Sequence, residues 1–125
     1  MKQIKTGSNY TIEEIVTQEK SASQVGSGLL DVYSTPAMIA LMEKTSFLCV
    51  EEFLDQNEST VGGAVNIKHL KPTAIGKKVV CKSEVISVDR KRIEFELEVK
   101  EDDIVIGNGN HTRFVIDKER FLKLL

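Results

Sequence analysis

Apolar residues dominate one long stretch of the chain, residues 34–54, in which no charged residue occurs before Glu43. Its length and the spacing of its apolar positions are typical of a buried helix. A threonine hydroxyl can accept a hydrogen bond from a free backbone N–H, and proline at the first helical position needs no N–H of its own. Thr35 followed by Pro36 therefore predicts a helix that begins near Pro36, with Thr35 as its cap.

Glu43 is the unusual residue of this helix. Ile39 and Ala40 precede it by one turn, and Phe47 and Val50 follow it by one and two turns, so it lies on an apolar stripe. A carboxylate that has lost part of its hydration must be paired or hydrogen-bonded, and these conditions can make it chemically useful. Alternatively, the helix is rotated so that Glu43 lies on a solvated edge.

Alternating apolar and polar residues predict an antiparallel sheet in the rest of the chain. The clearest strand spans residues 92–100, where four apolar residues alternate with charged ones. The other predicted strands are residues 10–17, 60–70, 77–88 and 104–116. Gly107 and Gly109 interrupt the last of these, which indicates a bulge or a close approach to the backbone. Residues 21–34, rich in serine and glycine, are predicted to form either a movable loop at a pocket or an extended segment that simply packs.

His69 lies on the apolar face of the predicted strand 60–70. Strict alternation places Gly63, Val65 and Ile67 on the same face and Gly62 on the opposite one. A histidine on such a face is either a hydrogen-bonded core residue or a catalytic group. The strand pattern alone does not decide between the two.

One or two N-terminal strands, one long helix and four later antiparallel strands predict an α+β domain. In this arrangement, the hotdog fold, a curved antiparallel sheet wraps around one long central helix. The 125 residues are enough for one such domain, residues 1–125, with a single core. Open strand edges would remain, so we expect two copies to join their sheets as a homodimer.

Charge and composition exclude several classes of partner. A formal net charge of −2 gives no broad attraction to nucleic acid or to an anionic membrane, so neither is expected as a partner. No apolar run approaches the ~20 residues of a membrane span, and the first ten residues lack the apolar core of a leader peptide, which predicts a cytoplasmic protein. Cys49 and Cys81 are predicted to be buried thiols. With only His69 and His111 available, we expect no metal site.

Three segments carry a resemblance to a known family. They are Ser34–Glu43, the strand Gly62-Gly63-x5-His69 with its turn Lys71-Pro72-Thr73, and the strand Gly107-x-Gly109-x-His111-x-Arg113. In this order and spacing they resemble the thioesterases related to fluoroacetyl-CoA thioesterase, over nearly the whole chain. The resemblance implies a set of site residues. These are Thr35, Glu43 and His69 as catalytic residues, and Gly62, Gly63 and Arg113 as substrate-binding residues.

The resemblance, together with the unusual positions of Glu43 and His69, predicts an acyl-CoA thioesterase that hydrolyses a small acyl-CoA thioester without a cofactor. Glu43 and His69 are expected to face one another and share the proton transfers, with Thr35 or water as the nucleophile. The Gly62 backbone N–H would stabilise the oxyanion. His111 is interpreted as structural or as part of the dimer seam. The alternatives are a protein that binds acyl-CoA without hydrolysing it, and a hotdog dehydratase or hydratase, whose Asp and His pair the chain lacks.

Overall fold

Five strands form a single antiparallel sheet in the computed structural model, which describes residues 1–125. Their bounds are β1 Asn9–Ile15, β2 Glu58–His69, β3 Lys78–Asp89, β4 Arg92–Glu101 and β5 Ile104–Asp117. In the sheet they lie in the order β1-β3-β4-β5-β2, so β1 and β2 are the two edges. The predicted α+β architecture is confirmed. Two pairings depart from chain order, because β1 pairs with β3 and β2 pairs with β5.

The long helix, α2, spans Thr35–Val50 and packs against one face of the sheet. Two short helices accompany it, α1 at Ala22–Val25 and α3 at Lys118–Lys123. On the sheet side, the alternation predicted for β4 is confirmed, because its four apolar residues are all buried. These are Ile93, Phe95, Leu97 and Val99. Full burial of side chains of this size stabilises the fold by roughly 1.5–3 kcal/mol each.

The rotation of α2 differs from the predicted one. Its buried residues are Met38, Leu41, Met42, Thr45, Ser46, Cys49 and Val50. Of the stripe predicted around Glu43, only Val50 is fully buried, while Ala40 and Phe47 are exposed. The reason is that α2 is apolar on more than one side, and the side that carries the two methionines packs against the sheet. Glu43 therefore lies at the margin of the packed face, with 42% of its side chain exposed.

A β-bulge in β2 changes which residues share a face. Gly62 pairs with Arg113 on β5 and Ala64 pairs with Thr112, so Gly63 is the extra residue. An extra residue inverts the alternation beyond it. The prediction that Gly62 points away from His69 is therefore wrong, because both residues lie on the face that α2 covers.

The close backbone approach predicted at the glycines of β5 is confirmed. A Cβ added at Gly107 would lie 2.6 Å from the Met38 sulfur, so α2 can pack this closely only over a glycine. Both cysteines are buried without a disulfide, as predicted, and burial raises the pKa of each thiol, Cys49 and Cys81, to about 11. No helix in the structure is both long enough and apolar enough to span a membrane.

Candidate active site

Thr35 and His69 form the first group of predicted site residues. Ser34, and not Thr35, caps α2, because the Ser34 hydroxyl accepts a hydrogen bond of 3.1 Å from the Ala37 N–H. The predicted capping role of Thr35 is therefore wrong. As the first helical residue, Thr35 instead places its Oγ1 2.8 Å from Nδ1 of His69 at the end of β2.

Burial lowers the pKa of His69 below the ordinary histidine value of 6.5, so the ring is neutral at pH 7. One nitrogen of a neutral imidazole carries hydrogen and the other accepts. With hydrogen on Nε2, which is buried and has no protein partner, Nδ1 can accept the Thr35 hydroxyl proton. The Tyr33 ring stands edge-on to the imidazole at 6.4 Å between centroids and limits its movement. The pair can therefore act as a hydroxyl with an adjacent general base.

A cleft of about 300 Å³ opens beside this pair. Its wall comes from residues around α1, from the start of α2 and from the turn after β2. The lining residues are Ala22, Ser27, Val32, Tyr33, Ser34, Thr35, His69, Leu70, Lys71 and Pro72. Part of the loop predicted to form a pocket wall thus lines this cleft, and α1 occupies its first residues.

Glu43 belongs to a second group, with Arg113. The Arg113 Nη1 lies 3.2 Å from Glu43 Oε2 and donates a hydrogen bond to it. Within one chain Glu43 makes no contact with His69, so the expected facing pair is wrong for a single copy. Gly62 and His69 are seven residues apart on β2, and the six steps that remain without the bulge residue Gly63 span roughly 20 Å at about 3.3 Å per residue.

Arg113 is buried, and hydrogen bonds on several sides hold its guanidinium in place. Its Nε donates to Thr60 Oγ1 at 2.8 Å, and its Nη2 donates to the Thr60 carbonyl at 2.9 Å. The guanidinium also lies 5.8 Å from the centre of the Phe47 ring. Burial lowers the pKa of Arg113, but an arginine keeps its charge at neutral pH. Glu43 therefore faces a fixed positive charge.

Gly62 lies directly against the Glu43 carboxylate. A Cβ added at Gly62 would be 2.9 Å from Glu43 Oε2 and 3.4 Å from His111 Cε1, so the carboxylate would have to move to admit a side chain here. Gly63, the bulge residue, faces the other side of the sheet, where an added Cβ would collide with the Phe114 ring. The structure thus brings Gly62 to the second group and places Gly63 away from it.

His111 is the residue of this group that the sequence analysis left outside the site. Its ring is buried, and its Nε2 lies 3.1 Å from Arg113 Nη1 and 4.0 Å from Glu43 Oε2. A pattern in the sequence could have indicated it. Residues two apart on a strand share a face, so His111 and Arg113 must point the same way.

Comparison with known proteins agrees with this architecture. Residues 16–119 match the family described as fluoroacetyl-CoA-specific thioesterase. The fluoroacetyl-CoA thioesterase of Streptantibioticus cattleyicolor is 30% identical over 91 residues, which are 73% of this chain and 66% of that protein. The chain therefore covers just under two thirds of that relative's length.

Solved structures match nearly the whole chain. A structure of fluoroacetyl-CoA thioesterase superposes with a TM-score of 0.93 at 24% identity, covering 98% of this chain and 95% of that one. A thioesterase superfamily member from Thermus thermophilus gives 0.92 at 25% identity, covering 99% and 92%. A hot-dog-like protein from Thermanaerovibrio acidaminovorans gives 0.87 at 18% identity, covering 95% and 88%. The predicted hotdog fold is confirmed.

Proposed function

Because the chain belongs to the fluoroacetyl-CoA-specific thioesterase family, we propose that it is an acyl-CoA thioesterase that hydrolyses a short acyl group from CoA. The observation that carries the proposal is the contact of 2.8 Å between Thr35 Oγ1 and His69 Nδ1 beside an open cleft. Lys71 on the wall of this cleft has the charge that suits the phosphates of CoA. A variant of fluoroacetyl-CoA thioesterase, 25% identical, was solved with fluoroacetate and CoA, which supports the same class of ligand here.

In the proposed reaction His69 Nδ1 takes a proton from the attacking oxygen, which belongs to Thr35 or to a water. A bond forms between that oxygen and the carbonyl carbon, and the carbon–sulfur bond then breaks. The proton held by His69 passes to the departing CoA thiolate. Attack by Thr35 leaves an acyl-enzyme that a water hydrolyses in a second, similar step. The N–H of Gly62 stabilises the oxyanion, and the carboxylate of Glu43 takes part in the proton transfers.

This reaction needs groups from both ends of β2, and a second copy of the chain would bring them together. β2 pairs with β5 along one edge only, and residues 62–66 of β2 are exposed. A long unpaired edge is normally covered by another strand or element. We therefore propose a homodimer in which the two β2 strands pair with one another.

A single register makes this dimer complete the site. Gly63 is the extra residue of the bulge, so in an antiparallel pair about a twofold axis Gly62 lies opposite His69 of the other copy when the axis passes through Asn66. That point is inside the exposed segment. Residues directly opposite share a face, and both Gly62 and His69 lie on the helix-covered face. Each of two sites then combines Thr35 and His69 of one copy with Gly62 and Glu43 of the other.

Mixing two inactive variants tests the shared site. We expect His69→Ala and Glu43→Gln each to lose turnover, while their mixed dimer keeps one complete site of two. Random mixing after refolding together should therefore restore about a quarter of wild-type turnover. No recovery in a preparation shown by mass spectrometry to contain mixed dimers would exclude the shared site. A monomer at micromolar concentration in light scattering would exclude the dimer.

Release of free CoA thiol from a panel of acyl-CoAs distinguishes the enzyme from a protein that only binds. We expect turnover with short acyl groups. Saturable binding of an acyl-CoA without thiol release would favour the binding function instead. A cytoplasmic location remains a prediction, and the absence of a disulfide between Cys49 and Cys81 is compatible with it.

A further inference from the structure

His111 occupies an unusual place between the bulge of β2 and the guanidinium of Arg113. Its Nδ1 lies 2.8 Å from the Ala64 carbonyl, the residue that follows the bulge, and its Nε2 lies 3.1 Å from Arg113 Nη1. The side chain has no solvent exposure. Phe95 stacks on the ring at 6.2 Å between centroids. Both ring nitrogens are thus occupied inside the protein.

The chemistry of these two partners determines the tautomer. A carbonyl oxygen can only accept a hydrogen bond, so Nδ1 must carry the hydrogen. A guanidinium can only donate, so Nε2 must present its lone pair. A proton on Nε2 would turn an acceptor into a donor that faces the Arg113 N–H. Burial, with the nearby Arg113 charge, lowers the pKa of His111, against the opposing effect of the Ala64 hydrogen bond and of the Glu43 and Glu94 carboxylates.

We infer that His111 is a positioning residue for the proposed hydrolysis, which holds Arg113 Nη1 against Glu43 and fixes the bulge that carries Gly62. The inference rests on the proposed function. The two hydrogen bonds of His111 join two parts of the site that would otherwise move independently. One fixes a charged side chain that contacts the Glu43 carboxylate, and the other fixes the backbone next to the Gly62 N–H. A displacement of either part by about 1 Å is enough to lower turnover strongly.

Packing alone does not account for an imidazole at this position. A phenylalanine of similar size could stack on Phe95 equally well. It would lose the hydrogen bond to the Ala64 carbonyl and leave one Arg113 N–H buried without a partner, and such a group destabilises the arrangement that contains it. The polar ring instead satisfies both. A glutamine can also donate and accept at once, which makes it the conservative replacement.

The test compares His111→Phe with His111→Gln. We expect His111→Phe to lower kcat by roughly 10- to 100-fold with KM changed by less than about threefold, because the groups at the reacting end shift while the cleft beside Thr35 is unaltered. His111→Gln should recover kcat to within about threefold of the wild type. Val85→Ala, a buried substitution in the same core, is the matched control for lost stability and should keep kcat within about twofold. A folded His111→Phe protein with near-normal kcat would overturn the inference, as would a Val85→Ala protein with an equal loss.

Nitrogen NMR of the wild-type protein tests the same inference without any turnover. The chain has only two histidines, so the two imidazoles can be assigned by comparison with His111→Gln. We expect the Nδ1–H tautomer for His111, and an Arg113 Nε–H that exchanges at least about tenfold faster in His111→Phe than in the wild type. The Nε2–H tautomer would overturn the inference even if the enzyme is active. A wild-type protein with the expected tautomer but no thiol release would instead overturn the proposed function.

Discussion

The two ends of β2 differ in how far their hydrogen-bonding capacity is used. At the His69 end, a neutral imidazole contacts one hydroxyl and has a second nitrogen without a protein partner. At the Gly62 end, Arg113 donates to Thr60, Glu43 and His111, and both nitrogens of His111 are occupied. A group that moves a proton must be able to change its protonation state, whereas a group that positions others must not. The His69 end is suited to proton transfer. At the Gly62 end Arg113 and His111 provide fixed electrostatics around the partly exposed Glu43 carboxylate, which can still exchange a proton.

This difference also explains why the two ends are useful to one another. The His69 end has an open cleft and a base but no positive charge among its hydrogen-bonded groups. The Gly62 end has a fixed cation, a carboxylate that is 42% exposed and a glycine whose backbone lies against that carboxylate. Neither end alone has every group that thioester hydrolysis requires. Pairing of the two β2 strands in a dimer would bring the His69 end of one copy next to the Gly62 end of the other. Four kinds of experiment test this division of roles.

Substitution of Glu43 by glutamine should have the largest effect. Glutamine keeps the shape and most hydrogen-bonding capacity of the side chain but cannot take up a proton, so turnover should fall by roughly 10²- to 10⁴-fold if the carboxylate takes part in proton transfer. Steady-state thiol release measures it. Glu52→Gln, which changes an exposed carboxylate just after the same helix, is the matched control. If Glu43→Gln instead changes only the free energy of unfolding, by about 1–3 kcal/mol, the carboxylate is structural.

Alanine at Gly62 should have the next largest effect. The new Cβ would approach Glu43 Oε2 to 2.9 Å, so the carboxylate must move away from the backbone. We expect turnover to fall by roughly 10- to 100-fold with a smaller change in stability. Alanine at Gly63 provides the contrast, because its Cβ would displace the Phe114 ring on the opposite face. If Gly63→Ala lowers turnover more than Gly62→Ala at equal thermal stability, the assignment of Gly62 to the site is wrong.

Much of the fold could be predicted from the sequence because a regular alternation of apolar and polar residues indicates directly which side chains are buried. The alternation of residues 92–100 predicted the strand and its buried face. Two features could not be predicted in this way. The rotation of α2 depends on which of its apolar sides packs against the sheet, and the face of Gly62 depends on a bulge that only the pairing of β2 with β5 creates. Both errors affected the same conclusion, that Glu43 faces His69 within one chain.

The contacts of the candidate site residues could be predicted only in part. Thr35 and His69 do meet, although Thr35 was expected to cap the helix. The spacing of His111 and Arg113 indicates that they share a face, but the contact of His111 with Ala64 could not be predicted, because Ala64 lies on another strand. The partners of His111 are the carbonyl of Ala64, which lies on β2 and is 47 residues away in the sequence, and the side chain of Arg113 on its own strand. Such a three-part contact is a property of the folded sheet.

The next prediction concerns stability: acidification should lower the free energy of unfolding through the two histidines, and we expect this effect to be modest. Burial lowers the pKa of both His69 and His111 below 6.5, so the unfolded chain binds more protons than the native one as the pH falls through 6.5. The free energy of unfolding should therefore decrease as the pH falls below about 6.5, by at most about 1.4 kcal/mol per pH unit for each histidine, until the native pKa is reached.

Urea unfolding measured between pH 7.5 and 5 tests this, since the carboxylates with lowered pKa values titrate at lower pH. The slope of the free energy of unfolding against pH should be smaller in His69→Gln and in His111→Gln, because each variant lacks the contribution of one histidine. A slope unchanged in both variants would mean that neither ring is neutral and buried in the native protein. Of the two histidines, only His69 should affect the pH dependence of kcat/KM, because the His69 ring must accept a proton in the reaction and the His111 ring does not.

The smallest expected effect separates the two neighbouring hydroxyls at the start of α2. Ser34 caps the helix through the Ala37 N–H, whereas Thr35 contacts His69. Ser34→Ala should therefore lower the free energy of unfolding by about 1 kcal/mol with little loss of turnover. Thr35→Val, which keeps the shape of the side chain, should leave the cap intact and lower turnover. Thermal unfolding and thiol release on both variants measure this. If Thr35→Val lost the cap energy and kept its turnover, the hydroxyl at the His69 end would be structural, and the division between the two ends of β2 would no longer hold.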